Sequence, residues 1–327
     1  MVRVVSRIFS ALAVTTALVF SLARPAAADE ISITQWGASL YGAPFAVGIE
    51  NGDFKKAGID ITGIIGSAGG GTSVRNILAS QTPYGEVATA AALAAARQGL
   101  DIVIVNTATH TVAESTLVTM PNSPVKTLKD LVGQKIAITS PKSTSEMVFL
   151  MELKQLGIDA SKIQRVASGG YTQGLTMLEN GAVSAAVLIE PLSIIRKDNY
   201  RTVVRAKDML PAMTTSVGIT TREFAKAHPE KIRAIIAGRQ LAVQQIYADP
   251  RGAAQLVAKQ FNMSPELAEV AVGNMIAPRM WTEGGFDKAE LDRIAEGLKL
   301  VGELNALPDW DHLIDASFLP DDLKASQ

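Results

Sequence analysis

Short apolar runs of strand length alternate with amphipathic stretches of helix length from residue 31 to about 222, and this alternation limits the fold more than any other feature. The runs are ISITQW (31–36), IDITGIIG (59–66), GEVAT (85–89), DIVIVNT (101–107), STLVTM (115–120), KIAIT (135–139), IQRVAS (163–168), SAAVLIE (184–190) and RTVVR (201–205). Between them, 73–80, 89–98, 144–156 and 172–180 place apolar residues at helical spacing. Such strand–helix units predict parallel sheets in an α/β chain. Beyond residue 222 the pattern is helical alone, as in HPEKIRAIIAGRQLAVQQIYAD and DKAELDRIAEGLKLVGEL.

Residues 1–28 read as a secretory signal, with Arg3 and Arg7 in front, an apolar middle, and Ala26, Ala27 and Ala28 before an expected cleavage. The apolar middle is shorter than the ~20 residues of a membrane span. The mature chain is therefore expected to be soluble and exported. The absence of cysteine excludes a lipid-modified cysteine, disulfides and thiol chemistry. A chain of 327 residues without such staples must rest on ordinary apolar cores, and two lobes suit its length. Net charge is −1 with Lys and Arg scattered, which leaves no electrostatic footprint for nucleic acid.

A strand–helix unit restarts after Pro124, and MTTSVGITT (213–221) reads as a further extended, β-branched segment. Crossings near 112–121 and 211–219 would divide the chain into a discontinuous lobe, 29–119 with 213–327, and an inserted lobe, 120–212. That layout leaves a cleft faced by strand C-termini, the usual ligand position in open α/β sheets.

The segment GSAGGGTSVRN (66–76) follows a strand and opens a helix. Free N–H groups at such a helix start suit a carboxylate, sulfonate or phosphate, which makes Gly69, Gly70, Gly71, Thr72 and Ser73 candidate ligand contacts. Thr72 or Ser73 would also cap the helix, and Arg75 offers a countercharge or a solvent-facing side chain. The Lys-[Ser/Thr] pair of a nucleotide P-loop is missing, and so is the dinucleotide fingerprint. In the inserted lobe, ITSPKSTSEM brings Ser140, Ser143 and Thr144 to a second helix start, with Ser143 and Glu146 spaced as a capping box.

Tyr171 sits in the loop SGGYTQG, where its ring and hydroxyl suit a pocket or the surface. Trp36 and Tyr41, in QWGASLYGAP, fit a pocket wall or core packing. Thr89 and Asn106 end strands as hydrogen-bonding candidates, and Glu190 is a strand-end carboxylate suited to a cationic group, to orienting a donor, or to bracing the hinge. His110, His228 and His312 lie far apart without a second metal ligand at metal spacing, so no metal or cofactor is expected. His110 lies beside the expected hinge. A GxSxG elbow and paired strand-end carboxylates are absent, which leaves no catalytic candidate.

The segments ENGDFKKAGIDI, PVKTLKDLVGQKIAIT, MLENGAVSAAVLIEP and FAKAHPEKIRAII, with the glycine loop, resemble the substrate-binding proteins of ABC importers in the SsuA/TauA/NMT1-THI5-like group. The resemblance spans essentially the whole mature chain. It implies a periplasmic-binding-protein type II fold: two Rossmann-like lobes joined by two crossing strands, with a cleft between them. By motif position it carries pocket roles onto Trp36, Gly69 to Ser73, Thr89, the turn SPKST and Glu190. It further implies a monomeric, non-enzymatic receptor that passes a small ligand to an ABC permease and its ATPase. Sulfonates, nitrate and pyrimidine-type ligands all occur in the group. The run ASQTPYGEVATA departs from the group's usual ALASGEVDIG pattern, so the pocket floor is expected to differ. The competing reading is an exported enzyme or ligand-sensing domain on the same fold. The group's thiamine-precursor enzymes use a cysteine-rich motif that this chain cannot contain.

Overall fold

The structure is a computed structural model that describes residues 29–324; the expected signal segment lies outside the described residues. The chain enters through β1 (Asp29–Thr34), α1 (Ala43–Glu50), α2 (Asp53–Ala57), β2 (Ile61–Ser67), α3 (Gly70–Ala79), β3 (Tyr84–Ala88), α4 (Thr89–Arg97) and β4 (Val103–Thr109). It continues with β5 (Ser115–Thr119), β6 (Lys135–Ile138), α5 (Thr144–Gln155), β7 (Gln164–Ala167), α6 (Tyr171–Glu179), β8 (Ala185–Ile189), α7 (Leu192–Ile195) and β9 (Arg201–Arg205). It returns through β10 (Ser216–Thr220) into α8 (Arg222–Ala227), α9 (Pro229–Ala248), α10 (Pro250–Phe261), α11 (Pro265–Ile276) and α12 (Lys288–Leu300). Proline opens α9, α10 and α11, where its missing N–H costs nothing, and Asp249, Ser264 and Asp287 cap α10, α11 and α12.

Two sheets result, ordered β2-β1-β3-β10-β4 and β7-β6-β8-β5-β9. Four strands of each run in one direction, and the fourth position in each order is the antiparallel strand that has just crossed from the other sheet: β10 in the first, β5 in the second. The expected boundary at 119/120 needs correction, because β5 pairs antiparallel with β8 on one side and β9 on the other. The first crossing is thus residues 110–114. It runs beside the second: Met213 donates its N–H to the His110 carbonyl at 2.9 Å, and the Thr215 hydroxyl donates to the Thr111 carbonyl at 3.0 Å.

The sheets do not meet only at these crossings. Leu291, Ile294 and Leu298 of α12 share one apolar cluster with Met147 and Val148 of α5 and with Leu93 of α4. Gly297 lets α12 lie close to α5, since a Cβ there would stand 2.7 Å from Met151 Sδ and 2.8 Å from Met147 Sδ. Beneath the first sheet, Arg239 forms a buried ion pair with Glu86 and donates to the Ala108 carbonyl at 2.7 Å.

Candidate functional site

The C-terminal ends of β1, β2 and β3 in the first sheet and of β6 and β7 in the second open on one cavity of about 270 Å³. Four helices begin at its wall. Gly69, Gly70 and Gly71 bring the start of α3; Ala88, Ala90 and Ala91 the start of α4; Ser143 and Thr144 the start of α5; Gly169 and Tyr171 the start of α6. The first N–H groups of a helix lack intrahelical partners, and its dipole places partial positive charge there. In α3, α4 and α6 no side chain caps these groups. The expectation that Thr72 or Ser73 caps α3 is therefore corrected: the helix starts one turn earlier, on Gly69 and Gly70.

Ser143 does cap α5, accepting from Glu146 N–H at 3.3 Å. The return half of the expected box is displaced by one residue, because the Glu146 carboxylate accepts from Lys142 N–H at 2.7 Å and from Arg165 Nε at 2.7 Å. Ser145 is also occupied, bonding the Thr139 backbone and side chain. Ser140 and Thr144, which line the cavity, bond no other described residue through their hydroxyls. Lys142 is the one charged side chain lining the cavity, and it reaches outward to Glu303 at 3.6 Å.

Behind this wall stands Glu114, in the first crossing. It is 2% exposed, and its Oε1 accepts from the Tyr41 hydroxyl at 3.0 Å while Oε2 has no partner. Burial pushes its carboxyl up to about 7. Burial likewise raises the phenols of Tyr41 and Tyr171, with the Glu114 charge adding to both. Sequence reasoning missed Glu114; its only signal is a carboxylate within the otherwise uncharged run TVAEST.

Of the expected contacts, Tyr41, Gly69, Gly70, Gly71, Ser140, Ser143, Thr144 and Tyr171 come together on the cavity. The others lie elsewhere. Trp36 packs edge-to-face on Phe261, with centroids 4.8 Å apart, and its ring fills the space beside Gly42 and Ile33. Thr89 is buried and donates its hydroxyl to the Thr214 carbonyl at 2.7 Å, bracing the second crossing. Asn106 is interior to β4, which runs on to Thr109 to pair with β10, and it accepts from the Tyr84 hydroxyl at 3.0 Å. Ser73 is buried and bonds Thr34 Oγ1 at 2.7 Å, tying α3 to β1. Thr72 is exposed and accepts from Arg75, which places the guanidinium on the helix surface. Glu190 accepts from Asn274 at 3.2 Å in a separate cavity. His110 holds Glu290 through Nδ1 at 3.0 Å and faces no cavity wall described above.

The glycine loop also divides. A Cβ on Gly70 would stand 2.5 Å from Ala91 Cβ, so glycine there serves the close packing of α3 on α4. A Cβ on Gly71 would meet only Arg75, at 3.9 Å, and one on Gly69 would meet nothing within 4 Å. Those two leave open space in front of the backbone.

A family model described as NMT1/THI5 like matches residues 40–253. No curated protein matches the sequence. Among solved structures, the periplasmic aliphatic sulphonate binding protein SsuA from Escherichia coli is 16% identical with a TM-score of 0.71, over 88% of this chain and 97% of that one. The alkanesulfonate-binding protein SsuA from Xanthomonas axonopodis pv. citri, bound to MOPS, is 14% identical with a TM-score of 0.69, over 91% and 99%. The periplasmic nitrate-binding protein NrtA from Synechocystis PCC 6803 is 14% identical with a TM-score of 0.69, over 91% and 87%. These similarities establish the fold, the two-lobed periplasmic-binding-protein type II architecture.

Proposed function

The chain belongs to the NMT1/THI5-like family, and we propose that it is a periplasmic solute receptor of an ABC importer that captures a small oxyanion-bearing molecule between its lobes. One observation carries the reading: four helix N-termini, two from each lobe, converge on a cavity lined by no carboxylate. Partial positive charge from both sides favours an anion, and bare backbone at Gly69 and Gly71 lets an oxygen approach the α3 amides. By their descriptions, the similar structures bind aliphatic sulphonates, MOPS and nitrate, which share oxyanion chemistry.

Capture works through the crossings. A ligand bonded to α3 and α5 at once interacts more strongly with the closed arrangement than with an open one, and so shifts the population toward closure. Residues 110–114 and 206–215 take up the rotation. The closed shape would then be read by a permease, and the ligand released unaltered. Aliphatic sulfonates, nitrate, aromatic carboxylates and pyrimidines can be compared by thermal unfolding. An oxyanion should raise the midpoint with saturating dependence on concentration. Stabilisation by uncharged pyrimidines alone, or turnover of a sulfonate, would overturn the reading.

A further inference from the structure

A second cavity, of about 370 Å³, shares no lining residue with the first. Its floor is β5 and β9, with Thr116 facing Arg205 across the pair. The helix beside it, α7, has only four residues, and the opposite wall is α11 from the segment after the second crossing, which supplies Val270 and Asn274. The cavity therefore touches elements of both lobes.

Its lining gathers three cations. Lys197, Arg205 and Lys207 all line it and are exposed, and none belongs to an ion pair among the described residues. The one carboxylate in the lining, Glu190, is already bonded through both oxygens to Asn274 Nδ2, at 3.2 Å each. Arg205 and Lys207 lie near enough to favour its charged form, while burial acts more strongly in the other direction. Three cations against one carboxylate leave a local excess of two positive charges in a concave, hydroxyl-bearing space. An anion with one charge would leave part of that excess unmatched.

We propose that this cavity is a second binding site, for a small oxyanion carrying two or more negative charges, held by Lys197, Arg205 and Lys207 against a wall that α11 contributes from across the lobe junction. Guanidinium and ammonium groups bond such oxygens strongly, and Arg205 offers a planar fork that matches carboxylate or phosphate geometry. Because α11 and the three cations lie on different sides of the junction, an occupant in contact with both favours the lobe spacing seen here. The site stands on its own residues and does not depend on what fills the first cavity.

The test titrates citrate and inorganic pyrophosphate into the mature protein by calorimetry, with ionic strength held constant by sodium chloride. Saturable binding of at least one, at one molecule per chain, is expected. Arg205→Gln with Lys207→Gln should weaken it about tenfold or more, and Lys142→Gln, at the first cavity, should leave it unchanged. Unliganded unfolding midpoints should not move, since neither exposed side chain makes an ion pair; if they do, Lys197→Gln provides the same comparison. No saturable binding, equal affinity in the double variant, or loss in the Lys142 variant would each overturn the proposal. So would an acidic peptide that binds at this face while both small anions fail, which would make it a protein-docking surface.

Discussion

Tyr41 donates its hydroxyl hydrogen to Glu114 at 3.0 Å, which sets a buried carboxyl directly behind a residue that lines the interlobe cavity. The carboxyl belongs to the first crossing, so the cavity wall and the hinge are joined by one hydrogen bond. With Oε2 unpartnered, ionising Glu114 is costly, and its folded value near 7 lies above the ordinary 4.5. Between those values the folded state binds more protons than the unfolded state, so stability falls as pH rises through this window.

Glu114→Gln should remove that slope. The variant is expected to match the parent near pH 4 and to exceed it above pH 7 by up to about 3 kcal/mol, the free energy of the shift. Urea unfolding from pH 4 to 8 measures it. A parent curve with the opposite slope, abolished in the variant, would place the carboxyl in a favourable charged environment instead.

His110 behaves in the opposite sense. Its bond to Glu290 raises its value above 6.5, so the folded state favours the charged ring. That stabilisation is fully present below the unfolded value and is lost as pH rises through the folded one. Glu290→Gln should therefore destabilise the protein by about 1 kcal/mol at pH 5.5 and much less at pH 8.5. Equal losses at both pH values would show that the ring is neutral throughout.

Gly70 and Gly71 should separate packing from binding. Valine at 70 meets Ala91 across α3 and α4, and overpacking of this kind costs about 1–3 kcal/mol. Valine at 71 meets open space, so stability should change by less than about 1 kcal/mol while anion affinity falls about tenfold. Unchanged affinity in the Gly71 variant would remove the α3 backbone from the site.

Trp36→Ala should act on folding. The ring is packed on Phe261 and Ile33, and truncating a packed tryptophan costs about 3 kcal/mol. Chemical denaturation and ligand titration of the same variant distinguish the cases. Intact stability with weakened binding would return Trp36 to the ligand.

These residues also show what the sequence made legible. All ten strands lie within or across runs whose β-branched and apolar content marks them, because that pattern is local. The membership of β5 was not legible, since it is fixed by partners at 186–189 and 201–205 rather than by its own composition. Asn106 was misplaced for the same reason: only pairing with β10 extends β4 to Thr109. The glycine loop pointed to the cavity, yet the need for glycine at 70 comes from Ala91, twenty-one residues away in sequence and 2.5 Å from the missing Cβ. Helix starts are written locally as small and hydroxyl-bearing residues, which is why eight of the expected contacts came together. Glu114 and Trp36 depend on which surfaces meet after folding, and no local pattern encodes that.

The most direct measurement is a backbone amide NMR titration with an oxyanion that stabilises the protein. The account predicts that the Gly71 amide in α3 and the Thr144 amide in α5 shift together, with the same dissociation constant, as one ligand engages both lobes. Shifts confined to one of these helices, or absent from both while binding occurs, would contradict it.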